Sequence, residues 1–358
     1  MMVKHVNVSM VRGLVLVMAG LMCGCATKKN APRDAIFIPP APATPRLQFL
    51  TSIDSSLGIE KENQMMQFLT GEKKRPKPIF KPYGVAMHQG KIFVCDSVLP
   101  AIEIIDLAAD QFEYWAPSGP GAFKKPLNIA FDENGNRYVV DVARGEVLIY
   151  DAAGNYQGAF GGVDRLKPTG IAVGGGKIYV TNLLKTRVDV HDVASKKLLF
   201  SIPRDGSDKA SRLFSPTNLA LDDENRLYVS DTGGFLIKIF DTEGQLVSGF
   251  GEVGTALAQF IRPKGIAVDR EKRVYCVDAA TEVVKIFNAE HKLLLYFGRA
   301  DGTALPLVLP AGICINYEHV DLFRSFAAPG FDVEYLVLVI NQYGARKLSV
   351  YGFGAMKP

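Results

Sequence analysis

The sequence predicts an all-β fold, a six-bladed β-propeller of four-stranded blades, and three observations predict it. A motif of proline, any residue, Gly or Asn, an aliphatic residue, Ala and an apolar residue recurs at Pro82, Pro126, Pro168, Pro216 and Pro263, with a looser copy at Pro310. The gaps are 44, 42, 48, 47 and 47 residues, a period that belongs to solenoids and propellers. Each period holds short apolar runs between turn residues, as in "LNIAF", "RYVVD", "EVLIYD" and "YQGAF", too short for helices. The runs are continuous rather than alternating, as expected of sheets covered on both faces.

The elements follow in chain order. Lys4 and Arg12 flank the start of an apolar run over 13–22, and Gly24 stands directly before Cys25. That is the layout of a secretory signal over 1–24, and its apolar run is shorter than the roughly 20 residues of a membrane span. The stretch "LMCGC" also resembles a bacterial lipobox. The resemblance implies cleavage before Cys25, its acylation, export, and a lipid anchor in the cell envelope. Ala26 rather than Asp after the cysteine points to the outer membrane where a cell has two. The other reading is a plain signal peptide and a soluble secreted protein.

Residues 25–45 carry Pro32, Pro39, Pro40, Pro42 and Pro45, a density that suits an extended tether. The propeller is expected over 46–358. After Pro310 the chain holds only three strands, "GICIN", "YLVLVIN" and "KLSVYGF". The missing fourth is assigned to "RLQFLTSI" at 46–53, so that the N-terminal segment enters the last blade and the ring closes without exposed edges. Two segments break the repeat. Residues 54–81 include a candidate amphipathic helix with Met65, Met66, Phe68 and Leu69 inward. In the sixth copy the distance from proline to the closing Asp or Asn is 31 residues instead of 14 or 15, an insertion at about 317–334. Its Phe323, Phe326 and Phe331 would give it an apolar surface or let it cap the channel.

The repeats resemble the NHL family of propellers over roughly 46–354, and the single Trp115 argues against the WD type. The resemblance implies a six-bladed propeller that binds partners. Some NHL propellers bind RNA on a basic face, yet an exported protein rarely meets RNA, so nucleic acid is not the expected partner. A peptide-amidating propeller lyase related in fold holds metal through channel histidines, and His88, His191, His291 and His319 form no matching set here.

Repetition sets the default role of each residue. Gly84, Asn128, Gly170, Asn218, Gly265 and Gly312 follow the prolines by two places, which reads as a tight turn at positive φ. The alternative makes Asn128 and Asn218, with Asp141 and Asp231, ligands of a cation such as Ca²⁺ at the channel mouth, as in lactonase-like propellers. Asp96, Asp141, Asn182, Asp231, Asp278 and Asn341 close the second strands and are expected to accept hydrogen bonds from the following turns. Cys95, Cys276 and Cys314 align with core positions, an odd number that makes no disulfide framework.

With 48% apolar residues, 22% charged and a net charge of +4, composition alone argues for no polyanion partner. Yet Lys81, Lys125, Lys167, Arg262 and Lys264 lie beside the blade-entry prolines, with Lys124, Arg165 and Arg212 close by, on loops that a propeller places on one face. The expectation is a monomeric, non-enzymatic binding or scaffold module for a protein or anionic glycan, with no cofactor. A metal-dependent hydrolase, lactonase or lyase at the channel mouth is the competing reading.

Overall fold

The computed structural model describes residues 35–60, 75–162, 166–299 and 305–357; the signal, Cys25 and the helix expected around Met65 lie outside them. Ile36–Pro358 forms one compact unit. Two N-terminal strands, β1 (Phe37–Ile38) and β2 (Leu47–Ile53), come first in the chain. Blade one is β3 (Pro82–His88), β4 (Lys91–Asp96), β5 (Ile102–Asp106) and β6 (Gln111–Trp115). Blade two is β7 (Pro126–Phe131), β8 (Arg137–Asp141), β9 (Glu146–Tyr150) and β10 (Tyr156–Gly161). Blade three is β11 (Ile171–Gly174), β12 (Lys177–Asn182), β13 (Arg187–Asp192) and β14 (Leu198–Ile202). Blade four is β15 (Pro216–Leu221), β16 (Leu227–Asp231), β17 (Leu236–Phe240) and β18 (Leu246–Phe250). Blade five is β19 (Pro263–Val268), β20 (Val274–Asp278), β21 (Val283–Phe287) and β22 (Leu293–Phe297). Blade six has β23 (Pro310–Asn316), β24 (Phe331–Asn341) and β25 (Leu348–Met356) from the C-terminal end.

The ring closes as the strand count requires. β2 pairs antiparallel with β25, Leu47 opposite Phe353 and Ile53 opposite Leu348, and the sheet order is β1-β2-β25-β24-β23. A fifth strand is added from within the proline-rich stretch, where Phe37 faces Gln48. Inner strands touch in sequence around the axis, from β3 through β7, β11, β15, β19 and β23 back to β3. The second strands are buried almost throughout, as in β20, because blades cover both of their faces.

The glycines two after the prolines have a different cause from the one the sequence suggested. None of Gly84, Gly170, Gly265 and Gly312 is at positive φ. A Cβ on Gly265 would lie 2.3 Å from the Ala311 carbonyl oxygen, and one on Gly312 the same distance from that of Tyr83. Adjacent inner strands approach too closely there for any side chain, a packing limit and not a turn requirement. Most inner strands also open on a register shift just after the proline, whose missing N–H is tolerated at a strand start.

The insertion forms a 3₁₀ segment, Val320–Phe326, before β24 begins. Gln48 on β2 holds it by donating to the Phe326 carbonyl and accepting from the Ala328 N–H. Its Phe323 and Phe331 are buried and only Phe326 is exposed, so it packs on the closing blade and offers no broad apolar surface.

Candidate functional site at the loop face

The connections that enter each blade share one face with the turns between second and third strands; the opposite face carries the other hairpins. On this loop face the second strands end in buried side chains that organise the backbone around them. Asp96 accepts from the N–H groups of Phe80 (2.8 Å) and Lys81 (2.7 Å) through Oδ2, and from Val98 (2.8 Å) and Leu99 (3.0 Å) through Oδ1. Asp141 repeats the pattern with Lys124, Lys125, Ala143 and Arg144. Asp231 takes Phe214 and Ser215, Asp278 takes Ile261 and Arg262, and Asn341 takes Val308. Each carboxylate therefore ties an incoming connection to the end of a strand, and charge-assisted bonds of this kind contribute roughly 1.5–3 kcal/mol apiece.

Blade three departs from the expected series. Asn182 donates to Asp189, and its own Oδ1 has no partner. The hydroxyl of Thr181, one residue earlier, accepts from Thr169 and Gly170 instead.

With their amides drawn inward, the side chains of the connections stand on the rim. Lys125, Lys167, Arg212 and Arg262 are exposed there, as is Lys124, while Lys81 and Lys264 are half-buried. None of these seven has a carboxylate within 4.0 Å among the described residues. Ion pairs gather mostly on the opposite face, where Lys272 meets Asp222, Asp223 and Glu224, and Arg273 meets Asp269 and Glu271. The two faces thus differ in electrostatics: one is internally neutralised and the other presents uncompensated cations.

Large apolar side chains stand among those cations. Phe80 and Phe214, 48% and 56% exposed, precede their prolines by two places. Val98, Leu184 and Tyr343, 65%, 58% and 48% exposed, follow the closing Asp or Asn by two. At the seam of blades six and one, the Lys81 ammonium lies 4.9 Å from the centre of the Tyr343 ring, and Lys347 donates to the Phe80 carbonyl (2.8 Å). Leu184 and Phe214 hold the corresponding repeat places at the seam of blades three and four. These residues are absent from the expectations above, although the repeat marks them as departures: the place of Val98, Leu184 and Tyr343 holds Ala143, Gly233 and Ala280 in other copies, and that of Phe80 and Phe214 holds Lys124 in blade two.

The candidate metal ligands are differently employed. Asn128 donates to the Thr169 carbonyl (3.2 Å), the Asn218 Oδ1 is buried without a partner, and the oxygens of Asp141 and Asp231 receive backbone N–H groups. Among the described residues no three His, Cys, Asp or Glu side chains converge as a metal site. His88, His191 and His291 pack on Phe131, Phe160 and Phe250 of neighbouring blades, ring centres 4.4 Å apart, and burial lowers the pKa of each. Cys95 and Cys276 are buried, Cys314 partly so, and burial raises all three thiols.

The fold and rim define a six-bladed β-propeller with a stapled, cationic loop face, and solved structures share its architecture. The chain is similar to the selenomethionine-substituted virginiamycin B lyase of Staphylococcus aureus, at 13% identity and a TM-score of 0.54, over 86% of this chain and 99% of that one. It is similar to a structural-genomics protein of unknown function from Bacteroides thetaiotaomicron, at 12% identity and a TM-score of 0.56, over 86% and 75%. The nidogen/laminin complex matches at 16% identity and a TM-score of 0.52, over 67% and 86%. At such identities the likeness establishes the fold alone. No family model and no curated protein matches the chain.

Proposed function

We propose that the chain is a non-enzymatic binding module of the NHL-like type whose loop face docks an acidic partner protein, and that acylated Cys25 anchors it in a bacterial envelope, in the outer membrane where there are two. The observation that carries the docking reading is the rim itself, uncompensated lysines and arginines interleaved with exposed Phe80, Val98, Leu184, Phe214 and Tyr343. Such a mixture suits a protein surface better than an anionic glycan alone, because apolar anchors contribute most to protein interfaces while unpaired cations steer and orient the encounter. The nidogen/laminin complex supplies a precedent for a protein of this fold in a protein complex.

The lyase neighbours supply the precedent for the enzyme reading, and one is a histidine-to-alanine variant described as catalytically inactive, bound to quinupristin. In this chain His88, His191 and His291 pack between blades at the end remote from the cationic rim. The test compares crosslinked partners in cells expressing the native chain, a Lys125→Glu/Lys167→Glu variant, and an opposite-face control, Asp223→Lys. Salt-sensitive crosslinks lost only in the first variant support docking. Equal crosslinking by all three removes it, and stoichiometric Ca²⁺ with lactone or ester turnover would replace it with the hydrolase reading.

A further inference from the structure

The residues directly after the six prolines are Tyr83, Leu127, Thr169, Thr217, Lys264 and Ala311. Five are uncharged and buried, so Lys264 is the single charge in this ring at the channel mouth. Its side chain leaves β19 of blade five and meets Tyr83 of blade one; the inner strand of blade six, which lies between them, carries the small, fully buried Ala311 at this place. The ammonium lies 3.3 Å from the Tyr83 hydroxyl and 4.9 Å from the centre of its ring. Among the described residues, this neutral phenol is the partner its ammonium meets.

Among the described residues no carboxylate lies within 4.0 Å of the Lys264 ammonium. Asp278, the acid of the same blade, is already shared by the Ile261 and Arg262 amides and the buried Lys285 ammonium. Arg262, two residues before Lys264, adds a second positive charge. Burial first and then Arg262 lower the Lys264 ammonium to about 8, while burial holds Tyr83 up to about 12, so its hydroxyl keeps its proton. Lys264 is half-buried at the end of β19 that adjoins the blade-entry loops, so its ammonium stands at the loop-face end of the inner strands.

We propose that Lys264, Tyr83 and Arg262 form a site for one carboxylate at the centre of the loop face, taking an acidic side chain or chain terminus of the docked partner. The ammonium and the phenol each donate to the anion, and the guanidinium adds charge at the rim. A charge that is unpaired and partly desolvated in the free protein gains most from an incoming counterion, which places the anchor here and leaves the exposed lysines to steer. This assignment rests on the docking reading but has its own readout.

The experiment uses the chain with lysine side chains labelled at ¹³Cε, the Lys264 resonance being identified by its loss in Lys264→Met. Lys264 is titrated in sodium chloride, sodium acetate, sodium phosphate, and chloride with a tetraglutamate peptide, all at equal ionic strength. Acetate and the peptide should raise the Lys264 pKa by about one unit, a roughly tenfold preference of the anion for the charged form, with the exposed lysines unmoved. Tyr83→Phe should shrink the shift while keeping the ring. The assignment is overturned if Lys264 titrates identically in chloride and acetate, if every lysine shifts alike, or if phosphate alone acts. Absence of the acetate effect beside crosslinks that still depend on Lys125 and Lys167 removes the anchor and leaves docking; the reverse removes docking and leaves the anion site.

Discussion

Glu103 on β5 is fully buried, and among the described residues neither of its carboxylate oxygens has a hydrogen-bond partner. The equivalent places in other blades show what it lacks. Lys238 donates to the carbonyls of Ala210 and Arg212, Lys285 to Gln259 and Asp278, and Asp189 receives Asn182 and Ser201 and pairs with Arg187. Burial, followed by repulsion from Asp96, raises the Glu103 carboxyl from 4.5 to about 9. The folded chain therefore holds a proton on Glu103 that the unfolded chain releases between those values, so its contribution is complete below about pH 4.5 and is lost as pH rises toward 9. At pH 7 the proton must be held about 2.5 pH units above the unfolded value, which at 1.36 kcal/mol per unit costs about 3 kcal/mol. Glu103→Gln carries no such cost. Urea denaturation should find the variant more stable by up to about 3 kcal/mol near neutrality, less whatever its buried amide loses, with the gap narrowing toward pH 5 and widening toward pH 8. A gap independent of pH, or one that widens on acidification, would refute a carboxyl protonated by burial.

Three further outcomes follow from the same geometry. Asp141→Ala strips the acceptor from four backbone N–H groups; thermal denaturation should show a loss of about 3 kcal/mol or more, and limited proteolysis should cut preferentially near Lys124 and Lys125. Gly312→Ala places a methyl group against the Tyr83 carbonyl and should cost about 1–3 kcal/mol by the same measurement, whereas Gly58→Ala meets no neighbour and should lose only the smaller strain of its positive φ. If Lys264 anchors the partner as its ammonium, partner affinity should fall as pH rises through about 8, and Lys264→Arg should move that fall beyond the measurable range.

By itself the sequence determined the propeller, the number of blades and the strand that closes the ring, because period, turn chemistry and strand count are local properties repeated six times. It also located the aspartates at the strand ends. What it misread lay between blades. The reason for Gly84, Gly170, Gly265 and Gly312 is the approach of a neighbouring strand, which no local pattern records, and the substitution of Thr181 for Asn182 as acceptor depends on where Asp189 lies. The tertiary structure alone decided which cations lack partners, since some opposite charges on the hairpin face come from different blades, as Lys272 and Asp222 do, while others such as Arg273 and Asp269 are local. It alone brought Lys264 to Tyr83 across 181 positions of sequence, because curling the sheets about an axis makes neighbours of residues that begin different repeats.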